Sequence, residues 1–325
     1  MRSWVDALVA AGVVPASYIP EASLGRPDED VVPAELVEGD TLGAYPLPDV
    51  GITPSSVCFL DGIQHWKVVG HAGATPIVRA HVAAAIRRRG PDRRPRTAAE
   101  RSTELAITHL AALPAAARRA LEESGVTVVD LPASDLGQPS RMLRAARVRV
   151  DRAREAVERE LAEECVARLG PQEWLVVDGL LSDSPLLAEH PRALGVIKSH
   201  GTQFFSGADL ELALTLPAAH RTSVFRPESH QHQRVYSWYL RLWPWEGNDL
   251  LYGLLRIEAR AHPDTPAAAG AIGAWLLRER APVATPDARF DRLLYPIHDV
   301  ETYLRSRAPR DLLPAPASRL PRTGS

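Results

Sequence analysis

The chain has 325 residues, 45% of them hydrophobic and 24% charged, enough apolar material for a packed core in one large domain or two small ones. A formal charge of -2 gives no overall attraction to nucleic acid, and two cysteines are too few for a disulfide framework or a thiolate metal site, so Cys58 and Cys165 are expected as buried thiols. No apolar run reaches the roughly 20 residues that span a bilayer, and the opening MRSWVDALVAAG has no basic lead into a signal core, so a cytoplasmic protein without a membrane partner is expected.

In chain order, residues 1–54 read as a short amphipathic helix followed by an extended Pro/Glu/Asp-rich arm that wraps the domain or reaches a partner. The first strand is VCFLDG (57–62), with WKVVG (66–70) as its hairpin partner, joined through Gly62-Ile63-Gln64-His65. Arg87, Arg88, Arg89, Arg93, Arg94 and Arg96 surround Gly90-Pro91-Asp92 between two helix-like stretches. That break reads equally as a solvated loop and as a phosphate-contacting one. Residues 97–123 carry helical periodicity, and Val126–Asp130 reads as a short strand.

A long charged helix follows over 140–169, its stripe formed by Val150, Val157, Leu161 and Cys165 and its end marked by Gly170-Pro171. WLVVDG (174–179) is the second strong strand, and strand-like runs recur over 194–198, 235–242 and 250–257. A small-residue helix over 265–277 and a final helix from near His298 complete the fold, and the proline-rich end is a tail. These elements predict an α/β or α+β fold around one mixed sheet, organised as an arm (1–54), one domain (55–310) and a tail (311–325). The sequence has no glycine-rich phosphate loop, GxSxG elbow or HExxH pair.

The chemistry centres on CFLDG and LVVDG, apolar runs that each end in an acid and a glycine. A charge at the end of a buried strand must meet water or a metal, and the glycine permits a sharp turn or a close ligand. One such segment is as readily a plain Asp-Gly turn; two point to Asp61 and Asp178 as paired carboxylates holding a hard divalent cation. Metal-assisted phosphodiester hydrolysis uses that arrangement. The long helix supplies a third acid, and helical geometry selects Glu158, on the side of Leu161, Ala162 and Cys165, with Arg154 one turn earlier to hold it.

After the second aspartate, LGVIKS presents Lys198, either a phosphate contact or a lysine at an ordinary strand end. LLYPIHDVE places Tyr295 and His298 where they can donate to a phosphate oxygen, ligate a metal or shuttle a proton; the same segment also reads as a helix cap with a packed aromatic. His230 and His232, beside His220, read as a solvated loop, and Trp238 with its aromatic neighbours reads as core or interface.

The order FLDG, acidic helix, LVVDG, LGVIKS, LLRIE and LLYPI before an acidic helix resembles the NurA nucleases over about Val57 to Arg307. The resemblance implies an RNase H-like fold, Mn2+- or Mg2+-dependent DNA cleavage, a homodimer, and partnership with a HerA-type hexameric ATPase. It implies Asp61 and Asp178 as metal ligands, with Glu158, Lys198 and Tyr295 in the site. The family pattern places a histidine about two turns beyond the tyrosine; here that place is near Arg305, and His298 stands as the candidate ligand instead. Three readings follow: a DNA nuclease in end resection, repair or defence; a degenerate scaffold that docks on a motor ATPase and guides DNA; and an RNase H-like nuclease acting on RNA or hybrids.

Overall fold

A computed structural model describes residues 31–132, 138–228, 235–280, 294–310 and 312. The fold is α/β, a mixed sheet of 12 strands flanked by helices. The predicted amino-terminal helix, the His230–His232 loop and nearly all of the tail lie outside the described residues. Among the described residues, no helix is long and apolar enough to cross a membrane.

The strands are β1 Ala34–Leu36, β2 Ala44–Pro46, β3 Ser56–Ala72, β4 Thr75–Arg89, β5 Pro95–Thr108, β6 Thr127–Asp130, β7 Glu173–Asp178, β8 Ala193–Ile197, β9 His220–Thr222, β10 Phe225–Pro227, β11 Val235–Arg241 and β12 Leu254–Arg260. Their order is β1-β10-β11-β12-β8-β7-β3-β4-β5-β6, with β9 on β11 and β2 on β9. The helices are α1 Ala115–Glu123, α2 Pro139–Val166, α3 Pro185–Ala188, α4 Gly207–Leu214, α5 Thr265–Arg278 and α6 Tyr295–Arg307. The chain forms two compact units, one of residues 1–60, 86–97 and 162–299, the other of 61–85, 98–161 and 300–325.

In the first unit β3, β7 and β8 run parallel, with Leu60 opposite Val177 and Val177 opposite Gly195, while β12 and β11 continue antiparallel. Strands buried on both faces explain the unbroken apolar runs of β3 and β8. A cluster of Phe204, Phe205, Phe225 and Tyr239 packs there, and Trp238 is fully buried, so the aromatic segment is core. The arm adds edge strands: β1 pairs with β10 and β2 with β9. Arg221 anchors the arm through a two-pronged contact with Glu38 at 2.6 and 2.8 Å.

Four expectations are corrected. Gly62-Ile63-Gln64-His65 is no turn; β3 runs on to Ala72, and the hairpin closes at Gly73-Ala74, with Gly73 at φ +58°. Residues 97–108 form a strand rather than a helix, because inward Ala99, Arg101 and Thr103 alternate with exposed Glu100, Ser102 and Glu104. The arginine break therefore joins two strands. The last strand starts at Leu254, not Leu250, because Gly253 turns at φ +67° and buried Arg241 holds the carbonyls of Leu250 and Tyr252.

In the second unit Met142, Ala146, Val150, Val157 and Leu161 form the buried stripe of α2. Burial lowers the pKa of His65, helped by Arg305 and His81, and its Nε2 is buried without a hydrogen-bond partner. Burial likewise lowers His81, against Glu104 and with Arg79, and in the first unit it lowers His190, helped by Arg192 and Arg260. The native state thus binds fewer protons than the unfolded chain. Stability from these groups is complete above the unfolded value of about 6.5 and lost as pH falls through the lowered folded values. We expect the unfolding midpoint to drop between about pH 7 and pH 5, with a shallower drop in His65→Asn. Thermal melts across that range check it; an unchanged slope in the variant refutes the role of His65.

Candidate functional site

In the second unit two of the predicted acids are buried. Asp61 is 7% exposed on β3, and its Oδ1 accepts the Gly62 N–H at 2.7 Å. On α2, Glu158 is 8% exposed and ion-paired with Arg154, one turn earlier on the same helix. Other α2 acids have different surroundings: Glu155 is exposed and Glu160 pairs with Arg101 at 2.8 Å. In the first unit Glu163 accepts from Ser184 at 2.6 Å. Helical geometry thus singled out the acid that is withdrawn from water.

Arg154 also donates to Gln64 at 3.3 Å, and Gln64 donates to Asp151 at 2.6 Å. Burial pulls the Arg154 pKa down, but Glu158, then Glu155 and Asp61, outweigh it and hold the guanidinium above its ordinary value. Arg154 is thus the ion-pair partner of buried Glu158 and lies within electrostatic reach of Asp61.

Gly62 is explained by close approach rather than by a turn. A Cβ there would stand 2.1 Å from Glu158 Oε1. Since the backbone is ordinary strand, Gly62→Ala is expected to change stability by only about 1 kcal/mol while swinging Glu158 away from Arg154. If Glu158 serves catalysis, cleavage falls about 10- to 100-fold. Melts and initial cleavage rates measured together check this; unchanged rates remove Glu158 from the site.

In the first unit Asp178 ends β7 and pairs with Lys198 Nζ at 2.6 Å, at the end of adjacent parallel β8. Gly179 follows at φ +144°, a conformation reserved for glycine, and its carbonyl would stand 2.6 Å from a Cβ on Gly195. The next residues are held by Glu258, fully buried on β12, which accepts from the N–H groups of Leu181 at 2.9 Å and Ser182 at 3.4 Å. Arg256, two residues earlier on β12, donates to Glu258 at 2.7 Å.

LLRIE carries Arg256 and Glu258, which no sequence motif marks as part of a site. The available signal was an Arg-x-Glu pair on one face of an otherwise apolar strand.

Tyr295 is exposed at the start of α6, and His298, one turn later, is half-buried. Of the arginine-rich segment, Arg87 pairs with Asp299, Arg88 with Glu173, Arg89 with Glu279 and Arg96 with Asp92. Most of that charge is thus already compensated, while Arg93 and Arg94 are exposed.

Among the described residues, no three or more His, Cys, Asp or Glu side chains are grouped so as to hold a metal ion. The donors at Asp61 and Glu158 are hard oxygens, the kind Mg2+ and Mn2+ take. Mg2+ is commonly held by one or two carboxylates, with substrate phosphates and water filling the rest. In donor type and number, that pair fits such an ion.

Neither protein-family models nor curated proteins gave a match to this chain.

Proposed function

We propose that this chain is a metal-dependent DNA nuclease of the NurA type with an RNase H-like sheet. The carrying observation is the register of the parallel strands: Leu60 lies opposite Val177, and in both strands the next residues are Asp and Gly. In open α/β sheets, ligands bind beyond the carboxyl ends of parallel strands, which is where Asp178 and Lys198 stand. The strand order β5-β4-β3-β7-β8, three strands in hairpin succession and then two parallel ones after a long helix, also supports the reading.

In this reading Asp61 and Glu158 would hold Mn2+ or Mg2+ together with substrate phosphate and water, and Asp178 and His298 are the further ligands that the resemblance implies. When bound, such an ion would supply an activated water and charge stabilisation for the attacking and leaving oxygens. Arg154 orients Glu158, Lys198 meets the scissile phosphate, and Tyr295 donates to a phosphate oxygen. A homodimer in the cytoplasm, working with a HerA-type ATPase on DNA ends, belongs to the same reading. Purified protein should cut single-stranded or duplex DNA with Mn2+, alone or with such an ATPase; no cutting under either condition overturns it.

Arg305, standing where the family pattern has a histidine, favours a second reading: a degenerate scaffold that docks on the motor and guides DNA. Calorimetry separates the two, since Mn2+ binding that is lost in Asp178→Ala contradicts a dead site.

A further inference from the structure

The turn joining β4 to β5 takes no part in the site described above. Three arginines pin its base within the first unit: Arg87 pairs with Asp299 at 2.8 Å, Arg88 with Glu173, and Arg89 with Glu279. Arg87 also bridges the two strands, donating to Thr97 Oγ1 at 2.8 Å and to the Pro95 carbonyl at 3.3 Å. At the tip, the Arg93 N–H closes on the Gly90 carbonyl at 3.0 Å, and Asp92 takes up the charge of Arg96 at 2.6 Å. Arg93 and Arg94 are left exposed, and among the described residues no acid pairs with either. Arg93 stands at φ 58°, where glycine or asparagine carries the least strain, so the backbone gives no reason for an arginine at that place.

We propose that this turn is a second DNA contact, in which Arg93 and Arg94 each hold a backbone phosphate away from the bond that is cut. The inference rests on the nuclease reading for its ligand. A guanidinium donates two parallel N–H bonds to phosphate oxygens, and a pinned turn presents the pair with little conformational freedom left to lose.

The strands fix where this contact stands. Arg88 donates to Ser56 Oγ at 3.0 Å and pairs with Glu173, and those two residues lie opposite each other at the starts of parallel β3 and β7. Asp178 and Lys198 stand at the carboxyl ends. β7 has 6 residues, so at roughly 3.3 Å per residue its ends lie about 17 Å apart. With about 3.4 Å between successive base pairs, the held phosphates lie roughly five base pairs or more from the scissile one. Arg93 and Arg94 are therefore positioning residues: they set where the duplex lies without touching the reacting atoms.

The test measures binding of a labelled duplex without metal, by fluorescence anisotropy, from about 50 to about 200 mM salt. It compares the wild type with Arg93→Gly/Arg94→Ala and with Arg118→Ala/Arg119→Ala, which removes two exposed arginines from α1 instead. Loss of two phosphate contacts should flatten the slope of log affinity against log salt by about 1.8, so the wild type loses about tenfold more affinity than the turn variant over that range. The α1 variant should keep the wild-type slope. In cleavage with Mn2+, the effect of the turn variant should fall on KM rather than kcat. Thermal melts of the turn variant should match the wild type, since Arg93→Gly suits the backbone there. A turn variant with the wild-type slope, an α1 variant that flattens it equally, or a wild type that binds no DNA would overturn the proposal. The two readings fail separately: Mn2+-dependent cutting with no change of slope sinks the turn alone, and arginine-dependent binding without cutting sinks the nuclease alone.

Discussion

Asp61→Ala and Asp178→Asn are each expected to lower Mn2+-dependent DNA cleavage by on the order of 100-fold or more without unfolding the chain. Asp61 is nearly buried, so its loss removes a hard-oxygen donor while the Arg154–Glu158 pair stays in place. Asp178→Asn keeps the shape and removes the charge facing Lys198 at 2.6 Å. The Asp178 and Lys198 side chains are 15% and 29% exposed, so Asp178→Asn also costs stability by leaving a half-buried lysine unpaired, and the melts separate that cost from the loss of rate. Initial rates in saturating Mn2+, with melts of the same samples, decide the matter. Wild-type rates in either variant would remove that aspartate from the chemistry.

The largest stability effect is expected from Glu258→Ala, about 3–5 kcal/mol, because it strands the buried Arg256 charge and frees two backbone N–H groups. Glu258→Gln should recover part of this, since an amide oxygen still accepts from Leu181. Glu104→Ala is the contrast: Arg79 and Glu104 are 32% and 43% exposed, and breaking that pair should cost under about 1 kcal/mol. Denaturant titration of the three variants measures the differences. Equal losses in Glu258→Ala and Glu104→Ala would show that burial does not set the cost here.

The legible parts of the fold were those in which period and burial agree. The α2 stripe, β7, β8 and β11 were found with small shifts of boundary because their apolar residues recur at helix or strand spacing. β5 was missed because Ala, Arg, Glu and Leu favour helix, and only pairing with neighbouring strands overrides that preference. The long β3 was cut short because Gly62 looks like a turn until Glu158 is seen lying against it. Among the candidate residues, Asp178 ends its strand as the sequence suggests and helix phase marks Glu158 as the buried acid of α2, whereas Asp61 lies within β3 rather than at its end. Glu258 was legible only as half of an Arg-x-Glu pair on β12, because its other partners, Leu181 and Ser182, offer only backbone groups.

The pairing of β3 with β7 joins Ser56 to Glu173, and β1 waits for β10, with Leu36 opposite Phe225. On a ribosome, the apolar early half of β3 therefore emerges long before its parallel neighbour exists, while the segment from Asp61 to Leu161 is still being made. At roughly 5–20 residues per second that delay lasts several seconds, during which β3, paired on one side with β4, keeps its other hydrophobic edge open to chaperones or to wrong partners. Topology of this kind folds slowly because distant pairings are made last. A synonymous change that slows translation between residues 61 and 161 should thus reduce soluble yield while leaving the finished protein identical.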